Sequence, residues 1–157
     1  MFGVIPAKFK VEPDRQVTVF LRTARTASEK EGEAILDVNH DGRWIHGLEL
    51  LGGGDFNLAR AVGPFQPKRP FEAGRIGVTY DEEANAAFFY FSMKKFATPS
   101  GIDTPDFKYS HSITPTARFG FDEEGGLIWV RFSPEGANAE IQDFLSLVDA
   151  PIEEELV

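Results

Sequence analysis

The stretch Asp37-Val38-Asn39-His40-Asp41-Gly42 opens like a calcium-binding loop, with oxygen-bearing side chains at alternate positions and a glycine at the sharp turn. A complete loop of that kind closes on a bidentate glutamate. Leu48 occupies that position, and Glu49 falls one residue late. The flanks read as strands rather than helices, so the pattern predicts a tight hairpin turn held by Asx hydrogen bonds. The alternative is calcium held in another geometry by Asp37, Asn39 and Asp41.

His40 and His46 flank the same turn. With Asp37 or Asp41 they could ligate a transition metal. His46 shares strand parity with Trp44 and Leu48, which predicts a partly buried, hydrogen-bonded imidazole instead. His111 lies between Ser110 and Ser112, but no G-x-S-x-G elbow accompanies it. The carboxylate runs Asp81-Glu82-Glu83 and Asp122-Glu123-Glu124 fall at expected turns. Exposure there denies them the raised pKa of a general acid. Glu49 and Arg131 each sit inside an apolar strand, where alternation points both outward. Gly52-Gly53-Gly54 is followed by neither Lys-Ser/Thr nor a G-x-G-x-x-G pattern, so it reads as a strand-to-helix turn rather than a phosphate loop. The chain has no cysteine, which excludes disulfides, thiolate metal sites and thiol catalysis. No cofactor is expected.

Positioning such residues requires a core, and 157 residues suffice for one domain. The net charge is -9, unevenly spread. Residues 1–80 hold 11 basic and 10 acidic groups, and residues 81–157 hold 5 and 15. An acidic half repels phosphate backbones and disfavours nucleic acid as a partner. Arg22, Arg25 and Lys30 form a small basic group in the first half. The start, MFGVIPAKFKVEPDR, lacks the order of a secretory leader, and no apolar run approaches a membrane span, so a cytoplasmic location is expected.

Apolar–polar alternation and turn residues predict strands at 16–22, 34–39, 44–51, 75–80, 86–92, 116–121 and 127–132. Two registers relate the halves: Val17–Leu21 matches Ala87–Phe91, and Ala34–Gly42 matches Ala117–Gly125. A helical pattern follows each hairpin pair, with Asp55 and Asn138 as N-caps and Ile141, Phe144, Leu145 and Val148 on one face. The expected fold is α+β and β-rich: two divergent antiparallel β-hairpin repeats, each followed by a short helix, sharing one core. The single domain divides into repeats at 8–62 and 75–148, a proline-bearing linker at 63–74 and a frayed acidic tail at 149–157. The segment 93–115 reads as a long loop, and its Phe96, Ile102, Phe107, Tyr109 and His111 are the candidate binding residues.

The stretch VTYDEEANAAFFYFSM resembles the opening of a bacterial family of small domains of unknown function, typified by Tyr-Asp, two acidic or proline residues, Ala-Asp-Ala and a second apolar strand. AILDVNHDGRWIHGLELL resembles its closing hairpin, through Asp41, Gly42, Gly47, Leu48, Glu49 and Leu50. The two elements fall in opposite halves, so the chain looks like a divergent tandem version, with Asn85 in place of the usual aspartate. The resemblance implies a β-rich fold and assigns no catalytic residue.

No catalytic set converges, the second half is acidic and the long loop is aromatic. These features predict an intracellular protein-interaction module that binds a partner or its own copy as a homo-oligomer, with neutralisation of a basic partner as one form. The alternative is a small-ligand-binding or hydrolytic protein, its pocket between the repeats under the 93–115 loop and lined by Phe88, Tyr90 and Trp129.

Overall fold

Ile5, Ala7 and Phe9 alternate with Lys8 and Lys10, and the apolar set is buried while Lys8 is exposed. That period of two is a strand with one face on a core. In the computed structural model, which describes residues 2–38, 45–51, 75–91, 111–113, 116–134 and 152–154, the same rule recurs throughout. The elements are β1 (Phe2–Pro6), β2 (Lys8–Val11), β3 (Val17–Phe20), β4 (Ser28–Val38), β5 (Ile45–Leu51), β6 (Arg75–Asp81), β7 (Ala86–Tyr90), β8 (His111–Ile113), β9 (Thr116–Phe121), β10 (Leu127–Phe132) and β11 (Ile152–Glu154).

Nine of them form an antiparallel sheet in the order β1-β6-β7-β5-β4-β9-β10-β3-β2. Its two ends, β1 and β2, are separated in the chain only by Ala7, so the sheet curls into a nearly closed barrel. Closure removes the bare edges that a flat sheet would present. β8 lies beside β4 in the same register that β9 continues, pairing Leu36 with Ile113 and Glu33 with Thr116. β11 pairs parallel with β2, setting Glu153 opposite Lys10.

This architecture corrects the expected α+β fold. The described residues are mostly strand, joined in one nearly closed antiparallel sheet, and contain no α-helix. The proposed N-caps Asp55 and Asn138, the helical patterns and the linker lie outside the described residues. Nor do the halves form separate hairpin units. Every pairing between hairpins (β1 with β6, β5 with β7, β4 with β9, β10 with β3) joins the first half to the second. A half alone would leave its hairpin edges unpaired, and interleaving satisfies them. Two smaller expectations also fail. The acidic tail supplies a strand, β11, and the expected loop 93–115 contains β8.

The interior is filled by aromatic side chains. Phe9 meets Phe91 edge-on at 5.3 Å, and Phe91 stacks on Phe132 at 5.7 Å. These rings come from β2, the end of β7 and β10, so the cluster ties distant strands together. Each buried ring contributes about 1.5–3 kcal/mol. Leu127, Val130 and Phe132 all face inward although their spacing breaks period two, because a bulge between Leu127 and Trp129 inserts one residue against β9. The bulge therefore sets Trp129 and Arg131 on the outer face.

Two hairpin turns share one hydrogen-bond pattern. Glu12 N–H donates to Gln16 O and Arg15 N–H to Glu12 O; Asp122 N–H donates to Gly126 O and Gly125 N–H to Asp122 O. The fourth residue of each turn is left-handed, Arg15 at φ 68° and Gly125 at φ 82°. Glycine adopts that conformation without strain, and arginine does not.

Candidate functional site

The outer face of β2, β3, β10 and β9 carries two side-chain rows fixed by register. One runs Lys10, Thr18, Arg131, Arg118; the other runs Lys8, Phe20, Trp129, Gly120. Thr18 is fully buried. Its hydroxyl donates to Glu12 Oε1 at 2.7 Å and accepts from Arg131 Nε at 2.9 Å. Arg131 also reaches Glu12 Oε1 at 3.5 Å, and Lys10 Nζ lies 3.9 Å from Glu12 Oε2. The Arg131 guanidinium sits 4.9 Å from the centre of the Trp129 ring, a cation–π contact. The indole donates to Thr26 Oγ1 at 3.0 Å. It lies across Gly120, where any Cβ would collide with it.

These bonds hold the segment Arg22–Ala27, which joins β3 to β4. Arg22 crosses to the β9–β10 turn, donating from Nε to Leu127 O at 3.1 Å and from a terminal nitrogen to Asp122 Oδ2 at 2.6 Å. The Asp122 carboxylate is further held by the N–H groups of Gly126 at 2.7 Å and Glu124 at 2.9 Å. The Gly126 N–H is the largest influence lowering its pKa below the ordinary aspartate value, with the Glu124 N–H and Arg22 acting in the same direction against partial desolvation.

Two open grooves flank Arg22–Ala27. The first, about 520 Å³, is lined by Pro6, Ala7, Lys8, Lys10, Phe20 and the stretch from Leu21 to Ala24, which among the described residues gives three cations and no carboxylate. The second, about 700 Å³, is lined by Arg25, Thr26, Ala27 and the acidic turn Asp122-Glu123-Glu124. Both volumes fall in the range of ligand sites. The basic groove stands out in a chain of net charge -9.

The residues singled out in the sequence scatter differently. Phe96, Ile102, Phe107, Tyr109, Asn39 and Asp41 lie outside the described residues. His111 begins β8 with its backbone opposite Val38, and Asp37 pairs with Gly47 and Ser112. Among the described residues no three histidine, aspartate or glutamate side chains are grouped to hold a metal. Phe88 and Tyr90 pack together on β7, 4.5 Å between ring centres, whereas Trp129 is on β10, with β5, β4 and β9 between them in the sheet. Those three side chains do not line one site. Arg131 does point outward, between inward-facing Val130 and Phe132, and Glu49 alternates with buried Leu48 and Leu50. Arg22 is bonded to the acidic turn, and Arg25 lines the groove beside that turn. Sequence reading missed Lys8, Lys10 and Phe20, although the alternation from Ile5 to Val11 marks the two lysines as a polar strand face.

Compared with known proteins, the chain matches no family model, no curated sequence and no solved structure. The site is read from its own residues.

Proposed function

We propose that the chain is a binding module that recognises a protein partner through the outer face of β2, β3, β10 and β9. The supporting observation is the pair of grooves of opposite charge on either side of one pinned segment. A partner presenting an acidic group to Lys8 and Lys10 and a basic group to Asp122–Glu124 is aligned by both, which fixes orientation and raises the association rate. The side chains between the grooves are already held by hydrogen bonds, so ordering them adds little entropic cost on binding. Reading the acidic turn as one half of this face keeps the expectation that a basic surface is neutralised, and the cytoplasm is the proposed location.

Native mass spectrometry on protein purified gently from its own host is the first test. The expected result is a copurifying protein whose retention falls as salt rises and is lost on charge reversal of either groove, Lys8→Glu with Lys10→Glu, or Glu123→Lys with Glu124→Lys. A complex indifferent to both pairs of substitutions would place the partner elsewhere and refute this reading.

A further inference from the structure

We propose that the outer edge of β2 is a strand-addition site: β11 fills it within the chain, and an extended segment of a partner protein takes the place of β11. The proposal does not rest on the two grooves or on any unpaired charge. Its basis is the unequal support of the two edges of β2. One edge is fixed to β3 along the whole of Lys8–Val11, with Phe9, Val17 and Val19 buried in the core. The other edge is covered, among the described residues, only by β11, and only from Phe9 to Val11. β6, which pairs with β1, stops opposite Pro6. The ring of strands is incomplete at this seam, and β11 is its cover.

The cover is held less firmly than any other strand. Among the described pairings it alone is parallel, a slightly weaker arrangement per residue. It is three residues long. β8 is as short, but β9 continues its register on β4, and no described strand continues β11. Two of its three residues are glutamates, a type depleted in strands. Only Ile152, opposite buried Phe9, has a strand-forming preference. Backbone pairing therefore does most of the holding, and any extended chain in the same register replaces it bond for bond. Exchange then turns on side chains. A segment with Ile or Val in the place of Ile152 and β-branched residues in the next two places is the better strand. It displaces β11 once it overcomes the local concentration that a tether provides, roughly millimolar. β2 itself needs no rearrangement, because β3 holds it in place.

The test uses the full chain and two fluorescein-labelled peptides: residues 149–157, and the same peptide with Glu153→Thr and Glu154→Val. The substituted peptide is expected to bind one-to-one and to shift the backbone amide resonances of Lys8–Val11. The unsubstituted peptide should bind about tenfold more weakly or worse. Glu153→Pro in the chain weakens the hold of β11 and should tighten binding of both peptides by about tenfold or more. Lys10→Cys with Glu153→Cys allows a disulfide to pin β11 in a chain that has no other cysteine. The oxidised form should bind neither peptide, and reduction should restore binding. That comparison is made within one folded protein, so it decides the matter even if the proline variant does not fold. Binding that survives the disulfide, binding that leaves the β2 amides unmoved, or no binding of either peptide to the parent and the reduced chain would each overturn the proposal. A dimer of the parent that the intrachain disulfide abolishes and the peptides do not dissociate would assign the edge to a second copy, and would overturn it as well.

Discussion

Gly120→Ala tests how the outer face is built. A Cβ at residue 120 would lie inside contact distance of Nε1 and Cε2 of Trp129 and 2.7 Å from Cζ2. The indole is a rigid plane, so it must leave. Trp129 is 6% exposed, and a tryptophan buries about 150–250 Å². Returning about half of that to water costs about 2.5 kcal/mol at 25 cal/mol per Å². The lost hydrogen bond to Thr26 adds about 1 kcal/mol and the lost cation–π contact with Arg131 about 0.5 kcal/mol. Replacing glycine within a strand returns about 0.5–1 kcal/mol. The net expectation is a loss of about 3 kcal/mol. The assay is urea unfolding followed by far-ultraviolet circular dichroism, which does not depend on the indole. The three atoms nearest that Cβ all belong to the indole, so in a Trp129→Val background Gly120→Ala should be neutral or slightly stabilising. A coupling energy near 3 kcal/mol confirms the packing. Equal costs in the two backgrounds, or a cost below about 1 kcal/mol in the parent, would refute it.

Gly47→Ala should be worse, by at least about 3 kcal/mol or as loss of folded protein on expression. Its Cβ would meet the backbone oxygen of Phe89 on β7, which cannot swing aside as a side chain can. Arg15→Gly should raise stability by about 0.5–1 kcal/mol in a urea melt, because φ is 68° there, whereas Gly125→Ala, at φ 82°, should lower it by about 1 kcal/mol. Asp122 has its pKa held below the ordinary value in the fold, so its stabilising contribution is present at neutral pH and is lost as pH falls from about 4 downward. Asp122→Asn should therefore lower the melting temperature at pH 7 and flatten the pH dependence of melting between about pH 4 and 2; an unchanged acid profile would contradict the hydrogen-bonding read from the turn.

Six strands were legible in the sequence within a residue or two: β3, β5, β6, β7, β9 and β10. Each is set by its own alternation and turn residues, which are local properties. β4 was legible only in its second half. Ser28–Glu33 carries charge at most positions, and its strand conformation comes from pairing with β9 rather than from an apolar face. β1 was hidden by Pro6, which reads as a breaker but falls where β1 ends and pairing passes from β6 to β3. β8 and β11 are three residues each, too short for any period to register.

Residue types alone determined that this chain would bury a β-rich core, that Arg131 and Glu49 would face outward, and that thiol chemistry was excluded. Only the tertiary structure decided that each hairpin pairs with hairpins of the other half. A strand edge exposes the same N–H and C=O groups whatever its side chains, so its neighbour is chosen by the closure of the whole sheet. The binding face has the same origin. Lys8 and Phe20 are twelve residues apart in sequence and meet through strand register. Arg22 and Asp122 meet because β10 lies between β3 and β9, and Trp129 points outward because one bulge shifts the phase of β10. Alternation fixes which side of a strand a residue occupies, and the pairing of distant strands fixes what it finds there.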